Sequence, residues 1–117
     1  MRAVERGPLF VDLEGLEPTA EDREILEHPL VGGVVLFTRN FEDRPQLQAL
    51  VRAIKSVRGR DLVVAVDHEG GRVQRFRGGG FEVLPPAALF GQISDRDRAA
   101  ASDLATRAGW LLATDLA

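Results

Sequence analysis

The chain has 117 residues, 44% hydrophobic and 28% charged, a balance that places it with ordinary soluble globular proteins and leaves room for one domain at most. Its 15 basic and 18 acidic residues are spread along the chain for a net charge of −3, which provides neither a basic face for nucleic acid nor a polybasic segment for a membrane. The absence of cysteine rules out a disulfide framework and a thiolate metal site; no apolar run approaches the roughly 20 residues of a membrane span, and Met1–Arg6 leads into no signal-peptide core, so a cytoplasmic location is expected.

In chain order, the first apolar run is Leu9-Phe10-Val11. With Val34-Val35-Leu36-Phe37 and Leu62-Val63-Val64-Ala65-Val66 it forms a set of continuous runs, rich in β-branched and aromatic residues, of the kind found in parallel strands buried on both faces. Between the first two runs, Thr19 is placed to cap a short helix with Asp22 as its box partner, and Pro29 stops it. Between the second and third, Asp43-Arg44-Pro45 opens a helix whose Leu47, Leu50, Val51, Ile54 and Val57 share one stripe. Lys55 and Arg58 suit the end of that helix, and Gly59 suits the left-handed residue after it. The stretch from Gly70 to Gly91 is rich in glycine and proline and predicts a long functional loop. Ser94 is then expected to cap a third helix, with Asp97 as its box partner and Ala101, Leu104, Ala105, Ala108, Leu111 and Leu112 on its apolar side.

Strands alternating with helices predict right-handed crossovers and a parallel sheet. Three strands leave two open edges and too little helix to cover both faces. A (β/α)8 barrel needs about 250 residues, so this chain would supply about the first three βα units; a small doubly wound sheet is the competing architecture and normally brings more strands.

Active sites of parallel α/β folds lie beyond the C-terminal ends of the strands. The first run leads into Asp12 and Glu14, the second into Thr38-Arg39-Asn40, and the third into Asp67-His68-Glu69. For Asp12, Thr38, Arg39 and Asn40, strands that simply end in polar residues explain the pattern as well as ligand contact does. Asp67 follows Val66 directly and can accept two hydroxyl hydrogen bonds from a polyol, each worth roughly 1.5–3 kcal/mol. Gly70-Gly71 allows a sharp turn or a close approach, and either Arg72 or Arg75 could hold Asp67 and present its remaining donors. A metal site fits poorly, because adjacent side chains on a strand alternate faces, and His68 reads as a packing residue or one that supports a neighbouring site residue. A phosphate cradle fits no better: neither G-x-x-x-x-G-K-[ST] nor G-x-G-x-x-G occurs, and Gly78-Gly79-Gly80 is a loop signal. No cofactor is expected.

The stretch Val66-Asp67-His68-Glu69-Gly70-Gly71-Arg72-Val73-Gln74-Arg75-Phe76 closely resembles the signature of bacterial β-N-acetylglucosaminidases of glycoside hydrolase family 3. Val11-Asp12-Leu13-Glu14-Gly15 and Gly32-Gly33-Val34-Val35-Leu36-Phe37-Thr38-Arg39-Asn40 look like that family's first and second strands, and Phe81-Glu82-Val83-Leu84-Pro85-Pro86 like the segment after the signature. His68 departs from the family, which usually has glutamine there.

The resemblance implies that residues 1–117 are the N-terminal part of a TIM-barrel exo-glycosidase, one that removes terminal N-acetylglucosamine from peptidoglycan fragments during cell-wall recycling, with retention through a covalent glycosyl-enzyme. It implies that Asp67 and Arg75 bind the non-reducing sugar; Arg72, also in the signature, is read first as a supporting ion-pair residue. The family's nucleophile, a late-barrel aspartate, and its acid/base, a loop histidine backed by an aspartate, have no counterpart in this chain, so no catalytic residue is expected here. Asp67 and Glu69 are not read as the carboxylate pair of a retaining glycosidase, about 5–5.5 Å apart, because Glu69 suits hydrogen bonds within the turn. The expected partner is a small carbohydrate, with the remainder of the barrel as a separate or missing segment. A β-glucosidase or xylosidase of the same family, or a non-catalytic carbohydrate-binding or assembly fragment, are the alternatives.

Overall fold

The computed structural model describes residues 7–58 and 61–117. Gly59, the expected left-handed residue after the second helix, and the Met1–Arg6 start lie outside them. The chain divides into two compact units, one ending at Val66 and the other beginning at Asp67.

The first unit carries β1 (Leu9–Val11), α1 (Ala20–Leu26), β2 (Val31–Leu36), α2 (Arg44–Arg58) and β3 (Val63–Val66). The strands form one parallel sheet in the order β1-β2-β3, with Val11 opposite Val34 and Leu36 opposite Val66. Thr19 and Asp22 close the expected capping box at the start of α1: Asp22 N donates to Thr19 Oγ1 at 3.0 Å and Thr19 N to Asp22 Oδ2 at 2.8 Å. On α2, Leu47, Leu50 and Ile54 are buried as their spacing predicts, each contributing about 1.5–3 kcal/mol of apolar burial. The basic end of that helix has a second use. Arg58 Nη1 donates to Val31 O at 2.6 Å and His28 O at 3.0 Å, tying α2 to the turn that enters β2.

Two expectations change. β2 begins at Val31 and ends at Leu36, so Gly32 and Gly33 are strand residues and Phe37 is not. Gly33 is there because its neighbours leave no room: a Cβ would stand 2.4 Å from the Phe10 ring and 2.6 Å from Val63 O. β1 is not buried on both faces, since Leu9 and Phe10 are each about half exposed. Among the described residues it pairs with β2 alone.

The second unit is more structured than a single loop leading to a helix. β4 (His68–Gly70) and β5 (Val73–Gln74) make an antiparallel hairpin, followed by α3 (Ala87–Ser94) and α4 (Arg98–Leu116). The turn uses Gly70 and Gly71 at φ 85° and 59°, backbone that other residues rarely adopt. A side chain at Gly70 would also meet Pro85 O at 2.2 Å. Ser94 is the last residue of α3 rather than a cap, and Asp97 is the N-cap of α4, accepting from Ala100 N at 3.0 Å. The sequence pattern places Asp97 as the box partner of Ser94, three residues on, whereas Asp97 is itself the cap. The apolar stretch before Ser94 continues as helix up to it, which leaves only Asp97 free to start the next one. Along α4 Ala101 is buried, whereas Leu104 and Ala105 are exposed.

Gly33→Ala should lower stability by about 1–3 kcal/mol, because Val63 O is backbone and cannot swing aside. A urea denaturation midpoint equal to that of the parent chain would contradict this account of the β2 glycine.

Candidate functional site

The polar residues after each strand are organised within their own units. In the first, Arg39 Nη2 pairs with Asp12 Oδ2 at 2.6 Å, Arg39 Nε donates to Leu13 O at 2.9 Å, and the guanidinium lies 5.0 Å from the Phe37 ring centroid. Asp12 and Arg39 thus hold each other at the strand ends while both remain exposed to solvent.

Asn40 is completely buried and is the centre of that arrangement. Its Nδ2 donates to Leu13 O at 3.0 Å and Gly15 O at 2.8 Å, and its Oδ1 accepts from Phe37 N at 2.9 Å. One carboxamide therefore satisfies three backbone groups in the loops after β1 and β2. Gln46 on α2 extends the network, donating to Leu16 O and Asn40 O at 2.9 Å each. Of the two readings open for Asn40 in the sequence, the structural one holds.

In the second unit the side chains alternate as a strand requires: Asp67 exposed, His68 buried, Glu69 exposed. The three do not converge on one point. Arg75 is the arginine that meets Asp67, through Nη2 to Oδ2 at 3.3 Å, and Arg75 N donates to Asp67 O at 3.2 Å across the hairpin. That single, long side-chain contact leaves Asp67 Oδ1 with no hydrogen bond among the described residues. A half-exposed carboxylate braced on one oxygen can accept hydroxyl hydrogen bonds on the other.

Two expectations about this hairpin fail. Arg72 makes no ion pair among the described residues, because it sits at the turn beyond the paired part of the hairpin. Glu69 is exposed and accepts no hydrogen bond there either, since its strand position directs it away from the turn backbone.

The role of Gln74 was not legible in advance. It is buried, donates through Nε2 to Glu82 O at 2.7 Å and Phe76 O at 3.0 Å, and accepts from Leu84 N at 2.9 Å. It thereby fastens the 82–84 segment alongside β5. The available signal was a glutamine on the inward-facing register of a short strand, opposite His68.

His68 packs beside Phe81, ring centroids 6.1 Å apart, and Phe81 in turn lies 5.3 Å from Phe76. Neither imidazole nitrogen has a hydrogen-bond partner among the described residues. Burial pushes its pKa below the ordinary 6.5, and the Asp115 carboxylate opposes that shift without cancelling it. Of the two roles the sequence suggests for it, packing or support of a neighbouring site residue, the ring contacts show the first.

Residues 3–117 match the family described as Glycosyl hydrolase family 3 N terminal domain. A beta-hexosaminidase of Bordetella avium (strain 197N) is 54% identical over 110 residues, which is 94% of this chain and 31% of that protein. A beta-hexosaminidase of Bordetella pertussis is 56% identical over the same shares. Among solved structures, native NagZ from Neisseria gonorrhoeae superposes with a TM-score of 0.91 at 45% identity, covering 96% of this chain and 33% of that one. The same enzyme has been crystallised in complex with N-trifluoroacetyl-D-glucosamine. The chain spans about a third of the length of the relatives it matches.

Asn40→Ala should cost about 2–4 kcal/mol, since it takes the side-chain partner from Gly15 O and Phe37 N and leaves Leu13 O with Arg39 Nε alone; a loss below about 0.5 kcal/mol by denaturant unfolding would remove Asn40 from that role. For His68 the lowered pKa means that the unfolded chain binds its proton first as pH falls through 6.5. The neutral side chain therefore contributes stability that is fully present above pH 6.5 and declines below it. His68→Gln should flatten the fall in unfolding free energy between about pH 7 and pH 5, and an unchanged slope would contradict this.

Proposed function

The chain belongs to glycosyl hydrolase family 3 through that family's N-terminal domain, and on this premise we propose that the protein is a β-N-acetylhexosaminidase. Its three parallel strands are the opening units of a (β/α)8 barrel. The substrate is a glycoside with N-acetylglucosamine at its non-reducing end, and peptidoglycan fragments released during cytoplasmic cell-wall recycling are the source. Support comes from the beta-hexosaminidases that resemble it at 54–56% identity and from the N-acetylglucosamine analogue bound by a structural neighbour.

The observation that carries the residue assignment is the Asp67–Arg75 pair. Arg75 holds one carboxylate oxygen, and the other accepts hydroxyls of the terminal sugar. Arg75 has further donors in a planar fork, so the pair offers both acceptor and donor to adjacent hydroxyls. Such contacts fix the sugar relative to the scissile bond, and positioning of this kind lowers the barrier without bond-making by the residues themselves. The nucleophile and the acid/base come from other parts of the protein. Hydrolysis proceeds with retention through a covalent glycosyl-enzyme, the arrangement in which two flanking groups stand close together across the anomeric carbon.

In the protein that carries this chain, Asp67→Ala should lower kcat/KM on a chromogenic N-acetyl-β-glucosaminide by about a hundredfold, with KM raised, while Asp12→Ala has a smaller effect. Unchanged kcat/KM for Asp67→Ala would take it out of the sugar site. Faster turnover of the matching glucoside than of the N-acetylglucosaminide would overturn the substrate assignment.

A further inference from the structure

Arg72 stands at the tip of the β4–β5 hairpin and Arg77 three residues beyond β5. Both line an open groove of about 730 Å³ whose other wall is Val83, Pro85 and Pro86. Both are exposed, and neither forms an ion pair among the described residues, although Arg77 Nε donates to Gln74 O at 3.2 Å. In a chain of net charge −3, two guanidinium groups facing one groove without a carboxylate are an uncompensated positive spot.

The groove is held open by its surroundings. Gly71 N donates to Leu84 O at 2.9 Å, Gln74 clamps Glu82 O and Leu84 N, and the two prolines have fixed φ. A Cβ at Gly71 would come within 2.7 Å of Pro86 Cβ, so the hairpin tip is in contact with the proline wall. Little of the groove needs to be ordered when a ligand arrives.

We propose that this groove binds a carboxylate carried beyond the terminal sugar, on the aglycone of the glycoside; the inference rests on the sugar-binding role of the Asp67–Arg75 pair. The hairpin tip is three residues from Asp67, about 10 Å along an extended strand, which suits a group attached past the first sugar. Arginine offers only donors, so its partner is an acceptor-rich anion, and a planar carboxylate matches its fork with two parallel hydrogen bonds. The Val83, Pro85 and Pro86 side covers the aliphatic carbons next to that anion. A neutral aglycone would use only this apolar half.

The probes are 3-carboxypropyl N-acetyl-β-glucosaminide, its methyl ester, butyrate and inorganic phosphate, titrated into the chain labelled at arginine Nε and followed by the Arg72 and Arg77 signals. The acid should bind about three- to tenfold more tightly than the ester at low salt, with the preference shrinking as salt is added, as expected for exposed pairs. Arg72→Gln, which removes no side-chain hydrogen bond among the described residues, should abolish most of the preference and leave ester affinity unchanged. Arg77→Lys, which keeps the charge but not the fork, should weaken it. Equal affinities for acid and ester overturn the proposal, as does a preference that survives both substitutions or a larger response to phosphate than to butyrate. If neither glycoside binds, the sugar-site reading fails, and the groove is judged by whether butyrate shifts Arg72 and Arg77.

Discussion

Loops that leave the C-terminal ends of parallel strands carry backbone amides and carbonyls into places that water does not reach, and each of those groups needs a partner. Two buried carboxamides meet that constraint here. Asn40 satisfies Leu13 O, Gly15 O and Phe37 N in the first unit, and Gln74 satisfies Phe76 O, Glu82 O and Leu84 N in the second. An amide side chain suits the task because it donates and accepts at once and has no charge to desolvate. The exposed acid–arginine pairs beside them, Asp12–Arg39 and Asp67–Arg75, stand on backbone that these carboxamides hold.

This division of labour separates groups that hold from groups that bind. The buried amides have both N–H donors committed to backbone carbonyls. The exposed acids keep one oxygen braced and one open, which is what a polyol site needs, and an exposed pair contributes little to stability on its own. Asp67 is therefore open to solvent at small structural cost, whereas His68, one residue on, is buried. Its ring finds Phe81 rather than a hydrogen bond among the described residues.

The glycines act through geometry. Gly33 permits β2 to lie against Phe10 and Val63 O, and Gly70-Gly71 permits the hairpin to turn against Pro85 and Pro86. Without the second of these the stretch after Asp67 could not double back to bring Arg75 opposite it.

The sequence by itself determined what depends on near neighbours: the three strand runs, the Thr19–Asp22 box, the Leu47, Leu50 and Ile54 stripe of α2, and the signature around Asp67 that marks the family. These rest on spacings of two to four residues along the chain, which periodicity and capping chemistry report directly. Tertiary structure alone decided that Arg75 and not Arg72 meets Asp67, that Asp97 and not Ser94 starts α4, that Glu69 has no partner in the turn among the described residues, and that Asn40 and Gln74 bind backbone 8 to 27 residues away. Both arginines follow the same acid within eight residues, and Ser94 and Asp97 are both residue types that cap helices well. Only the way the backbone folds back, at Gly70-Gly71 and at the end of α3, brings one of each into reach and carries the other away.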